Sequence, residues 1–64
     1  MRAAQFNERF SIGHAFIFQP VKVLRGGYPV KTVDQAIDVS STVTVVEIDE
    51  PPYFANVQSL TPAR

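Results

Sequence analysis

The chain has 64 residues, a formal net charge of zero, 45% hydrophobic residues, one histidine and no cysteine. That balance excludes a disordered charged tail, a disulfide-stapled scaffold and a structural zinc site, which is usually built from four Cys and His ligands. A chain this short buries only about 60% of its unfolded surface, so a homodimer or other assembly joins a well-packed core as a route to stability.

No run approaches the roughly 18 apolar residues that cross a bilayer, and no charged start precedes an apolar stretch as in a signal peptide. The expectation is one small domain over 1–64, cytoplasmic, with no membrane contact and no cofactor. Zero net charge hides an asymmetry. Residues 1–31 hold Arg2, Arg9, Lys22, Arg25 and Lys31 against Glu8, whereas 32–64 hold Arg64 against Asp34, Asp38, Glu47, Asp49 and Glu50. Either the charges pair across strands, or the molecule has a basic and an acidic side suited to head-to-tail association.

Residues 1–8 show neither clean alternation nor a useful helical stripe, which predicts a frayed terminus; 61–64 read as a tail. Over 10–19, Phe10, Ile12, His14, Phe16 and Phe18 alternate with small or polar residues, predicting a strand with an aromatic inner face. Gly13 marks a bulge or bend within it, and Pro20 ends it. Residues 21–24 and 28–31 then flank Arg25-Gly26-Gly27, predicting a hairpin whose outer side Pro29 leaves unpaired.

Thr32-Val33-Asp34-Gln35 matches a capping box, and Val33, Ala36 and Ile37 follow at helical spacing. The pattern predicts a short helix over about 33–39, with an irregular loop as the alternative. Residues 42–48 are β-branched except Glu47, predicting a central strand covered on both faces for much of its length. Glu50-Pro51-Pro52 turns it into an antiparallel partner over 53–60.

The fold class is therefore mainly β: a small five-stranded antiparallel, strongly bent sheet or partly open barrel with one short helix. In strand count, and in its ending from Val57 to Leu60 and Pro62, the outline is similar to an SH3-like barrel. The mid-chain helix departs from that pattern, as does the lack of the aromatic peptide-binding motif. The alternative is an α+β open antiparallel sheet with the helix on one face.

Catalysis is the least supported class. His14 sits in an aromatic face, where a structural role is the usual one. Asp34 and Asp38 read as solvated carboxylates, and Gly26-Gly27 lacks the Lys-Ser/Thr of a phosphate loop. The leading expectation is a non-catalytic interaction or regulatory module working through protein–protein contacts, including self-association through strand edges. Its partner-binding residues are Tyr53, Phe54, Glu47 and Glu50. Tyr53 and Phe54 are adjacent, so in a strand one faces the core and the other the surface, where an aromatic beside charge can anchor a partner. The alternative is a nucleic-acid-binding small barrel using Lys22, Arg25, Tyr28 and Lys31 on one hairpin. A sequence pI near 6.5 weighs against that reading.

Overall fold

A computed structural model describes residues 1–19 and 26–63. The order is helix α1 (Ala3–Arg9), strands β1 (Ala15–Phe18), β2 (Tyr28–Lys31), β3 (Ile37–Asp38), β4 (Thr44–Glu47) and β5 (Phe54–Asn56), a 3-10 turn (Val57–Ser59) and β6 (Leu60–Pro62). The strands form two three-stranded antiparallel sheets, ordered β2-β1-β6 and β3-β4-β5. Mainly β with one short helix is thus correct. Among the described residues, however, there are six strands in two sheets that do not close into a barrel.

The Val/Thr-rich segment is the middle strand of the second sheet, as its β-branched composition requires. Thr44, Val46 and Ile48 are buried, while Val45 and Glu47 on the other face are half-buried. The expected single strand over 53–60 is divided. β5 pairs with β4; the 3-10 turn, capped by the Asn56 side chain accepting from the Gln58 N–H at 2.9 Å, then redirects the chain so that β6 pairs with β1. β6 also gives the expected tail a ladder partner: Ala63 N–H donates to the Ala15 carbonyl at 3.0 Å.

A second corner joins the sheets at Thr32, which bridges to Ile48. Beside it the Lys31 N–H donates to the Asp49 carboxylate at 2.9 Å, and Asp49 N–H returns to the Lys31 carbonyl at 3.0 Å. Phe16, Phe18, Val30 and Leu60 from the first sheet meet Val46 and Ala55 from the second in one core.

The helix is at the N-terminus, not over 33–39. Ala, Gln, Glu and Arg favour helix, and Ala3, Phe6 and Phe10 make a minimal inward stripe. Seven residues are too few to hold a helix alone, so tertiary contacts must fix it. Phe6 stacks on Phe16 with ring centroids 5.5 Å apart, and Phe10 meets Phe16 edge-on at 5.0 Å. Two polar side chains complete the attachment. Asn7 accepts from the Ala36 N–H at 2.7 Å and donates to the Ala36 carbonyl at 3.0 Å. Asp38 accepts from the Ala3 N–H at 2.9 Å and from the Thr44 hydroxyl at 2.6 Å, and lies 3.4 Å from the Arg2 guanidinium.

The expected capping box fails because its members have other partners. The Thr32 hydroxyl accepts from the Gly13 N–H at 3.0 Å, and the Gln35 N–H goes to the Asp34 carboxylate at 2.7 Å. Ile37 and Asp38 instead pair with Val45 and Thr44. The first strand is also shorter than expected, because a turn at Ile12–Gly13, with Gly13 at φ 92°, precedes it and leaves Ile12 exposed. The expected strand over 21–24, and Pro20 with it, lie outside the described residues. β2 pairs with β1 and, among the described residues, with no other strand. Gly27, at φ 122°, leaves no room for a Cβ, which would stand 2.9 Å from the Phe18 carbonyl oxygen.

Two outcomes follow. Asn7→Ala strips both polar groups of buried Ala36 of their partner and should cost about 2 kcal/mol in denaturant unfolding; a loss below about 0.5 kcal/mol would show that this clamp is idle. Asp38 is held below the usual carboxylate range by the Thr44 hydroxyl first, then by the Ala3 N–H and the Arg2 charge, against some desolvation. A depressed carboxylate contributes stability above its unfolded value of about 3.9 and loses it as pH falls through the folded value. The fall in Tm on acidifying below about pH 4 should therefore be shallower in Asp38→Asn than in the parent chain; parallel curves would contradict this.

Candidate interaction surface

Opposite residues in an antiparallel ladder share a face, so register places the side chains of the second sheet. Val46 opposite Ala55 and Thr44 opposite Asp38 lie on the inner side. On the outer side Ile37, Val45 and Asn56 form one row, and Glu47 stands opposite Phe54 in the next. Val33 extends that second row, its N–H donating to the Glu47 carbonyl at 3.0 Å. Val39, bonded to the Val43 carbonyl at 3.0 Å, continues the Ile37 side. Val33, Ile37, Val39 and Phe54 are 46%, 54%, 56% and 56% exposed. With strands about 4.8 Å apart and about 3.3 Å per residue, this outer face spans on the order of 300 Å², within the range of the largest patch on a typical monomer.

Of the four partner-binding residues expected from sequence, two meet directly: Glu47 is half-buried beside Phe54. Glu50 and Tyr53 belong to the turn beyond, where the Tyr53 N–H donates to the Glu50 carbonyl at 2.8 Å. The expectation that one aromatic ring would be core is corrected, since Tyr53 is 53% exposed as well. Strand alternation does not apply to Tyr53, which precedes β5 in a left-handed conformation at φ 70°. Sequence reading missed Val33, Ile37 and Val39, because helical spacing assigned the first two to a helix. Their signal was alternation: Ile37 and Val39 flank the inward Asp38.

The nucleic-acid residues are not gathered. Lys22 and Arg25 lie outside the described residues. Lys31 is exposed on β2 opposite Ala15, and Tyr28, three residues away, belongs to the other face of the strand. The Tyr28 ring lies edge-on to Phe18, and its hydroxyl donates to the Pro51 carbonyl at 2.7 Å. His14 is half-buried between Phe10 and Phe16, with centroids 4.9 and 5.0 Å away. Among the described residues no three His, Asp or Glu side chains are grouped as metal ligands, and no helix is long and apolar enough to cross a membrane. A cleft of about 220 Å³ opens beside α1, floored by Phe6, Phe10, Phe16 and Leu60 with Arg9 at its side.

Replacing apolar residues that are more than half exposed and lie outside the core should cost little stability. The double variant Ile37→Thr/Phe54→Thr should unfold within about 1 kcal/mol of the parent while binding less of the apolar dye ANS. A loss of about 3 kcal/mol or more would mean that these side chains support the fold.

Compared with protein-family models, curated proteins and solved structures, the chain matches none, so its functional reading rests on the geometry of this face.

Proposed function

We propose that the chain is a non-catalytic interaction module that docks a protein partner on the outer face of its second sheet. The observation that carries this reading is the exposure of Ile37 and Phe54 on adjacent rows of one three-stranded face. Continuous exposed apolar area is unfavourable in water and marks contact surfaces more often than ornament. Phe54 is the natural anchor: a large ring beside a carboxylate, near the free edge that β5 has among the described residues.

Site-specific photocrosslinking tests this. Benzoylphenylalanine in place of Phe54 should give a discrete adduct in lysate or with the purified chain. Excess parent chain should suppress that adduct, and excess Ile37→Thr/Phe54→Thr chain should not. Adducts indistinguishable from those made by the same probe at Thr61 on β6 would contradict the reading.

A further inference from the structure

We infer that the cleft beside α1 is a binding site for a small aromatic monocarboxylate, its ring among the phenylalanines and its carboxylate on Arg9. This site is separate from the outer face of the second sheet, whose exposed residues Ile37 and Phe54 do not line it. Its walls come from four elements: Phe6 and Phe10 from α1, Phe16 from β1, Val57 from the 3-10 turn and Leu60 from β6. The opening has a cause in the chain. Phe16 and Phe18 stand opposite Pro62 and Leu60 on one side of the first sheet. The helix, only seven residues long, sets Phe6 and Phe10 against Phe16 and leaves a gap beside Leu60 and Pro62.

Size limits the occupant. The cleft holds about 220 Å³, whereas packed interiors leave few voids larger than a water molecule. An apolar cavity of about 150 Å³ accepts a benzene ring, so this one takes a single ring and a short polar arm. It is smaller than the roughly 300 Å³ at which pockets for drug-sized ligands begin, which excludes a peptide segment or a second copy. A ring suits the walls better than an alkyl chain. Phe6 and Phe10 already meet tilted at 5.0 Å, and Phe10 meets Phe16 edge-on at 5.0 Å, so a further aromatic extends an existing edge-to-face cluster.

Charge limits it further. Arg9 and Gln58 are the polar side chains of the lining, and no carboxylate is among them. Glu8 lines the neighbouring groove with Gln5 and Arg9, and not this cleft. The Arg9 guanidinium lies 5.5 Å from the centroid of the Phe10 ring. Stacked there it is partly pre-ordered at the rim, so less freedom is lost when it binds. The one ion pair among the described residues joins Arg2 to Asp38, which leaves Arg9 with no described carboxylate. A single guanidinium matches a monoanion with two parallel hydrogen bonds. A phosphate dianion would keep excess charge against apolar walls, and an ammonium would meet no partner.

Titration of four probes into ¹⁵N-labelled chain tests this: phenylpropionate, phenylpropanol, phenylpropylamine and propionate. Phenylpropionate should shift the amides of Phe10, Val57 and Leu60 and leave those of Ile37 and Phe54 unmoved, with a Kd on the order of 1 mM. It should bind at least about tenfold more tightly than each of the other three. Arg9 is exposed, so its variants should keep the fold. Arg9→Gln should reduce phenylpropionate to the affinity of phenylpropanol, and Arg9→Glu should turn the preference toward phenylpropylamine. No shift at about 20 mM phenylpropionate, on the order of twenty times the expected Kd, would overturn the inference, as would shifts centred elsewhere. So would phenylpropanol matching phenylpropionate, or a preference for the acid that survives in Arg9→Gln. Propionate binding as tightly as phenylpropionate would show an adventitious ion on Arg9 only and would overturn it too. The four-probe comparison on the parent chain needs no variant, so it decides the matter even if an Arg9 variant misfolds.

Discussion

The Asp38 carboxylate is the junction on which the rest of the arrangement depends. One side chain accepts from the first amide of α1 and from the hydroxyl of a buried strand residue, and lies 3.4 Å from the Arg2 guanidinium. These partners come from two parts of the chain, the N-terminal segment and β4, separated by more than thirty residues. Asn7 adds a second attachment one turn along, holding both backbone groups of Ala36. A seven-residue helix has no stability of its own. Docked this way, it delivers Phe6 onto Phe16 and covers a core that two small sheets leave open.

The same attachment gives the second sheet its polarity. Thr44, Val46 and Ile48 turn inward, so alternation sends Val45 and Glu47 outward. The helix is tied along the β3 side through Ala36 and Asp38 and leaves the outward face uncovered. Charge is segregated by the same geometry. The second sheet and its turns are built from the acidic half of the chain, and the described basic residues lie on α1, before it and on β2. The outer face is thus apolar around Glu47, with Lys31 opposite Asp49 where the two sheets join.

The central strand was legible in the sequence because composition and alternation agreed over 42–48, and its Pro-containing turn and antiparallel partner followed from it. The helix was misread because local rules were outweighed by distant ones. Thr32 to Gln35 satisfies the capping pattern, but the Thr32 hydroxyl is engaged by Gly13, and Ile37–Asp38 gains a ladder with β4. Ala3 to Arg9 carries only a three-position stripe, and its partners Asp38 and Ala36 lie some thirty residues away, beyond the reach of periodicity. The interaction face was half legible. Glu47 and Phe54 were chosen for chemistry and do meet, but Val33, Ile37 and Val39 became visible only once 33–39 was seen to be extended.

Native-state hydrogen exchange at Ala36 tests the central claim most directly. Its amide lies outside the named strands, and its protection depends on the Asn7 side chain from α1. If the helix is docked as described, Ala36 should exchange nearly as slowly as Val46, through opening of the whole domain. Exchange at Ala36 at the rate of an unstructured chain, with Val46 still protected, would show that the helix is not attached to the second sheet and would contradict the account.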